Sequence, residues 1–167
     1  FADAAGTGEV IAAAVRKVGM PDLVLCGRQA SDTDGGQVLY RIGHALGIPV
    51  VTPVSRIESV EEGAVVVQRI AGDGVQRLRV RLPALLGISS EINDPRNPTM
   101  RGMATATRMR FPEWLAADLG IAPLANRVDL KKLRVVESDS MAEMIDGETG
   151  AARGIALADR LHAEGLL

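Results

Sequence analysis

The densest set of residues able to do chemistry is the run Gly27, Arg28, Gln29, Ala30, Ser31, Asp32, Thr33, Asp34, Gly35, Gly36, Gln37, Val38. It mixes a guanidinium, carboxylates, amides and hydroxyls with glycines, which remove side chains where the chain must turn and let the backbone approach a ligand. An apolar run, Leu23 to Cys26, precedes it, and Val38, Leu39, Ile42, Ala45 and Leu46 follow at helical spacing. A helix starting near Gly36 points free N–H groups and the positive end of its dipole into the loop, which suits a phosphate. Asp32 and Asp34 would repel a phosphate they touched, so their roles are capping or contacts to sugar hydroxyls. Gln37 and Ser31 add neutral hydrogen-bonding groups, and Arg28 a compensating charge. The loop has no Walker lysine, no G-x-G-x-x-G and no nucleophile elbow. On its chemistry alone it is either a nucleotide loop or an ordinary strand-to-helix connection with capping aspartates.

The elements that must position such a loop are those of an α/β fold. Val10, Ile11, Ala14, Val15 and Val18 recur at helical spacing and stop at Gly19-Met20-Pro21. Leu23 to Cys26 then reads as a short buried parallel strand ending at Gly27. The loop, a helix over Val38 to Leu46 closed by Gly47 and Pro49, and a second short apolar run, Val50 to Val54, follow in the order of a crossover between parallel strands. Beyond it, Ala64 to Ile70 and Gln76 to Leu82 flank the turn Ala71 to Val75 as a half-exposed hairpin. Arg77, Arg79 and Arg81 fall on its solvated face, and Leu78, Val80 and Leu82 on the other. Ala84 to Ile88 is a further strand. Ser89 to Met103, with Pro95, Pro98 and Gly102, cannot be one regular element. A closing helix carries Ala152, Ile155, Ala156, Asp159 and Leu161, with Thr149 placed to cap it.

Composition narrows the function classes. With 47% hydrophobic residues in 167, a packed core is affordable and disorder is not the default state. Aromatic residues are only 2%, so stacking platforms for single-stranded nucleic acid are missing. Net charge of -2, with both signs spread along the chain, gives no footprint for a phosphate polymer, so no nucleic-acid partner is expected. The one cysteine, Cys26, excludes an internal disulfide and a cysteine-rich metal site, and fits a reducing cytoplasm. His44 and His162 are far apart in sequence, so no metal site is expected. No apolar run reaches the roughly 20 residues that span a bilayer, so no stable membrane insertion is expected.

The string GRQASDTDGGQV, followed by a helix and GIPVVTPVSRIE, resembles the electron transfer flavoprotein beta subunit family, in which G-[KR]-Q-x-x-D-x-D-x-x-Q-[TV] binds the nucleotide. LPALLGISSEINDPRNPTMRGMATATRM resembles that family's LPAV-type strand, N-[ED]-P-R and recognition loop, and the closing helix after Gly147-Glu148-Thr149 is similar as well. The chain looks like the carboxyl-terminal two-thirds of such a subunit. The fold implied is a doubly wound, mainly parallel α/β sheet of the adenine-nucleotide α-hydrolase-like type, incomplete at its amino terminus, with a β-hairpin and a carboxyl-terminal arm. Residues 1–136 would form the nucleotide-binding domain, with a docking loop at 89–103, and residues 137–167 the arm and helix.

What the resemblance implies is a non-catalytic electron carrier. The beta subunit pairs with an alpha subunit that holds FAD, and itself holds AMP or, in electron-bifurcating members, a second FAD. Gly27 to Val38 would line that nucleotide, with Gly36 and Gln37 near phosphate and Asp32 near the sugar. Gly27-Arg28-Gln29, Gly35-Gly36-Gln37-Val38 and GIPVV resemble the nitrogen-fixation-associated and bifurcating relatives more than the AMP-binding type. Asn93, Pro95, Arg96 and Met100 match the loop that docks on acyl-CoA dehydrogenases and similar redox partners, with Met100 as its apolar anchor. Read without the family, Met100 tucks under its own loop. Two other functions stay open: an adenine-nucleotide-binding enzyme of the α-hydrolase-like class, and a ligand-free structural partner.

Overall fold

The computed structural model describes residues 3–122, 127–135 and 142–167. The chain divides into two compact units, Phe1–Leu130 and Lys131–Leu167.

The first unit is an α/β structure around one open sheet. Its elements are helices α1 (Ala4–Val18) and α2 (Val38–Leu46), and strands β1 (Leu23–Gly27), β2 (Val50–Glu61), β3 (Ala64–Ala71), β4 (Gly74–Arg81) and β5 (Ala84–Ile88). The strand order is β1-β5-β2-β3-β4. β5 runs parallel to both β1 and β2, whereas β2, β3 and β4 form an antiparallel meander. The sheet described is therefore a mixed one, with a parallel part at β1, β5 and β2 and the expected hairpin beside it. The short run expected over Val50 to Val54 continues to Glu61, its later part pairing antiparallel with β3 as far as Glu61↔Ala64. The β3–β4 connection is also tighter than its glycine-rich sequence implies, with the strands meeting at the Ala71↔Gly74 pair.

β5 is the spine of this unit. Leu85 and Leu86 point to opposite faces and both are fully buried. Leu85 packs with Leu39 and Ile42 of α2, against which Val24, Cys26 and Val50 also lie. Leu86 packs with Val51, Val54, Val65 and Val67. A strand enclosed on both sides reads as a continuous apolar run, which is why ALLGI shows no alternation. α1 packs on α2 where Gly8 leaves no room for a side chain: a Cβ there would collide with the Arg41 side chain and stand 3.1 Å from its carbonyl carbon.

The amino end of α1 is held by Asp3, whose carboxylate accepts from Gly6 N–H at 2.7 Å and from Arg127 N–H at 2.7 Å. Lys17, near the other end, donates to the Asp118 carbonyl at 2.6 Å and lies over the Trp114 ring at 5.1 Å. Along the hairpin, Arg77 pairs with Glu58 and Arg79 with Glu61, so the expected arginine face is a solvated one. The Gln68 side-chain amide and then Arg77 hold the Glu58 carboxyl below its usual range.

The segment after β5 is irregular as expected, with a short 3-10 turn at Ser90–Ile92 and helix α3 (Met100–Ala106) capped by Thr99, which accepts from Gly102 N–H at 3.1 Å. In the second unit, helix α4 (Gly150–Ala163) is capped by Thr149, which accepts from Ala152 N–H at 3.1 Å. Arg160 pairs there with Glu143 and Glu164.

Two outcomes follow from this packing. Leu86→Ala, which empties part of the core that Leu86 shares with Val51, Val54, Val65 and Val67, lowers stability by about 2–5 kcal/mol in chemical denaturation. The Gly6 and Arg127 N–H groups hold the Asp3 carboxyl below the ordinary carboxylate range. A carboxyl with a lowered folded-state pKa stabilises above the unfolded value of about 4, and its contribution is lost as pH falls through the lowered value. Melting points measured on the acid side are expected to drop more steeply below about pH 4 for the native protein than for Asp3→Asn, which keeps a capping oxygen but does not titrate.

Candidate functional site

β1 ends at Gly27 and β5 at Ile88, paired side by side, so the loops after them leave the same edge of the sheet. The loop 28–37 returns at once to α2, and α2 lies over β5. Strand ends that open onto a helix start are where α/β folds place ligands.

Within the loop, Gln29 is the organiser. Its carbonyl oxygen accepts from Arg28 Nε at 3.1 Å, and its amide donates to the Asp34 carboxylate. The Asp34 N–H closes a turn onto the Ala30 carbonyl at 2.9 Å, and Asp34 has φ 48, a left-handed conformation that aspartate tolerates better than most residues. Gly36 has φ 56, and a Cβ there would face Gln29 Oε1 at 3.7 Å. Asp32 accepts from the Thr33 hydroxyl at 3.4 Å. Ala30, Ser31 and Gly35 lie exposed on the outer turn.

Neither aspartate caps α2, which corrects the capping role that the sequence allowed them. The cap position is Gln37, in helical conformation and with no side-chain cap hydrogen bond. Asp34 is instead drawn back to Gln29, and Asp32 to Thr33. Among the described residues the first turn of α2 thus keeps backbone donors without a side-chain acceptor, and the positive end of the helix dipole faces the loop.

Beside this turn lies an open cavity of about 240 Å³, lined by Arg28, Gln29, Gly36, Leu39, Tyr40, Thr52 and Pro53. Arg28, Gln29 and Gly36 belong to the candidate loop; Leu39, Tyr40, Thr52 and Pro53 were not singled out from sequence. The signal that could have found the last two is a hydroxyl and a proline interrupting the apolar run Val50 to Val54. Thr52 Oγ1 is buried without a hydrogen-bond partner. The next strand end brings Glu91 within electrostatic reach of Arg28. A Ser89 side-chain hydrogen bond, the Glu91 N–H and the Arg28 charge hold the Glu91 carboxyl below its usual range. The Ser89 hydroxyl, which has one proton to give, also sits 3.1 Å from the Val54 carbonyl. Burial raises the Cys26 thiol above its ordinary pKa, as for a small packed residue rather than an activated nucleophile.

Asn93, Pro95, Arg96 and Met100 are all exposed, on the segment that leads into α3, and are not part of the cavity. Met100 is 79% exposed, so it does not tuck under its own loop. Among the described residues no group of three or more His, Cys, Asp or Glu is arranged to hold a metal ion, and no helix is long and apolar enough to cross a membrane.

The electron transfer flavoprotein domain family matches residues 1–119. Subunit CarD of the caffeyl-CoA reductase–Etf complex of Acetobacterium woodii is 37% identical over 153 residues, which cover 89% of this chain and 58% of CarD. The mixed α/β sheet, the loop at its strand ends and these matches make the chain a member of the electron transfer flavoprotein family, of the beta type. It spans somewhat less than three-fifths of the length of the relative it matches.

The loop geometry makes a specific demand at Gly36. Gly36→Val puts a β-branched side chain into left-handed backbone, at a cost of roughly 1–2 kcal/mol, and crowds Gln29. Amide hydrogen exchange is expected to speed up across residues 28–41 while the β2–β4 meander keeps its protection.

Proposed function

We propose that this chain is the nucleotide-holding part of the beta subunit of an electron transfer flavoprotein, not itself an enzyme. It pairs with an alpha subunit that holds FAD and passes electrons between dehydrogenases and an acceptor. The observation that carries the reading is the uncapped first turn of α2 opening beside a cavity with Arg28 at its rim. Exposed N–H groups at a helix start and a guanidinium are the donor set that a phosphate requires.

The residues present fit a nucleotide of the AMP or FAD kind. Arg28, Gly36, Gln37 and the α2 backbone would hold phosphate, and Asp32, with its carboxylate on the solvent side of the loop, the sugar. Leu39, Tyr40 and Pro53 would exclude water on the far side. Gln29 holds the Asp34 carboxylate by a hydrogen bond from its amide. A bound flavin would supply the redox chemistry, and AMP none; in either case the protein contributes binding and orientation. The cavity, at about 240 Å³, is smaller than the roughly 300–1,000 Å³ of sites that enclose a whole ligand. That agrees with a site to which the rest of the full-length protein contributes further walls. The complete sheet would then be the doubly wound, adenine-nucleotide α-hydrolase-like arrangement, with residues 1–136 in the nucleotide domain and 137–167 as an arm. The Gly-Arg-Gln start and Gly-Gly-Gln-Val end of the loop favour FAD over AMP, by likeness to the bifurcating type, and a cytoplasmic location accompanies either.

The second surface in this reading is the exposed segment with Asn93, Pro95, Arg96 and Met100, a docking loop for acyl-CoA dehydrogenase-like or other redox partners. An exposed methionine suits it, because its flexible thioether repacks on different surfaces.

The test is to co-express the full-length protein with its alpha-type partner, denature the purified complex by heat, and identify the released nucleotides. One AMP and one FAD per heterodimer is the simple carrier, and two FAD the bifurcating form. A complex that forms but releases FAD from the alpha subunit alone would remove the nucleotide site from this chain.

A further inference from the structure

Between Asp94 and Glu113 the chain carries no acidic residue, and it carries four arginines, Arg96, Arg101, Arg108 and Arg110. With that segment's +4 taken from the net charge of -2 for the whole chain, the rest stands at -6. Elsewhere arginines are neutralised at close range: Arg77 lies 2.6 Å from the Glu58 carboxylate, Arg79 2.9 Å from that of Glu61, and Arg160 2.6 Å from that of Glu164. Among the described residues none of the four has such a partner, and all four are exposed.

The same segment holds apolar side chains outward. Met100 is 79% exposed and Met103 43%, one helical turn apart on the same side of α3. α3 buries none of its residues, so no core shapes it. The Thr99 cap does so locally, after Pro95 and Pro98 have restricted the backbone leading into it. The two thioethers are therefore presented in a fixed relation to the charges around them.

We infer that residues 95–110 dock on a redox partner protein at an apolar pocket with an acidic rim, the four arginines steering the encounter and Met100 and Met103 entering the pocket. The inference rests on the docking reading given above for Asn93, Pro95, Arg96 and Met100. It adds the sign of the partner's charge, three further arginines and a second methionine. The rest of the chain, being acidic, repels the same partner, so the field selects the face as well as the partner. A lipid surface is a poorer complement, because two methionines are too little apolar area to hold a helix in an interface. Nucleic acid offers thioethers no pocket, and the acidic remainder of the chain opposes a phosphate polymer.

The experiment uses the full-length heterodimer, with an immobilised acyl-CoA dehydrogenase as probe and surface plasmon resonance to separate the rates. Association of the native heterodimer is expected to slow steeply as salt rises. The variant with Arg96→Gln, Arg101→Gln, Arg108→Gln and Arg110→Gln together should associate about tenfold more slowly at low salt, and dissociate within about twofold of native. Met100→Ala should do the reverse, dissociating about tenfold faster with its association nearly unchanged. Arg77→Gln with Arg79→Gln, which removes charge from the hairpin instead, should leave both rates within about twofold of native. Native association that does not respond to salt overturns the inference. So does a comparable slowing in the hairpin variant, which would make net charge responsible and not this segment. A four-arginine variant that no longer assembles with the alpha subunit overturns it by assigning the arginines to the subunit contact. Native binding to vesicles of phosphatidylglycerol and phosphatidylcholine that this variant loses overturns it in favour of a lipid surface. Native heterodimer that does not bind the dehydrogenase fails the docking reading itself, and is distinguished because it needs no variant.

Discussion

The burial of β5 on both faces is the constraint on which the first unit depends. Leu85 ties the strand to α2, Leu86 ties it to β2 and β3, and neither tie survives a shift by one residue, because a slip would exchange the two faces. Once β5 is fixed, β1 and β2 have their places on either side. The carboxyl ends of β1 and β5 then lie next to each other, and α2 covers the edge they share. The loop 28–37 has no independent structure that would place it; it is held where its two ends are held.

The same strand shapes the cavity. A regular β2–β5 ladder would continue past Val51 in step, and a side chain at position 87 would fill the space under α2. Pro53 and Gly87 prevent both, one by withholding an N–H and the other by withholding a Cβ. What results is a local defect in the sheet at the point where a helix start is left without a cap. Each of these features costs stability when taken singly: a bulge, an unpaired hydroxyl, a non-glycine residue at positive φ, and uncapped backbone donors. Their concentration within one site, in a unit otherwise packed regularly, is the pattern expected where structure serves binding.

The exposed segments have a different character. The run from Asn93 through α3 and the whole of α4 bury no residue, although they carry Met100, Met103 and Ile155. Their helices are held by local means, the Thr99 and Thr149 caps and the Arg160 pairs, and not by a core of their own. The family match covers residues 1–119, which include the first of these segments, and the alignment with CarD extends beyond it.

Much of this was legible in the residues themselves. The periodicity of Val38 to Leu46, the strand Leu23 to Gly27, the hairpin with its arginine face, the Thr149 cap and the family likeness of GRQASDTDGGQV are local signals, carried by spacing and by residue types whose preferences do not depend on distant neighbours. Three matters were decided only by tertiary structure. The mixed sheet arises where β2, parallel to β5 at its start, runs on into an antiparallel pairing with β3. The aspartates do not cap α2: Asp34 is held by Gln29, five residues before it, and Asp32 by Thr33. Thr52 joins the cavity because β5 brings Gly87 opposite it. In each case the deciding partner is set by how strands are ordered or how a loop closes on itself, and a pattern read along one chain contains no term for that.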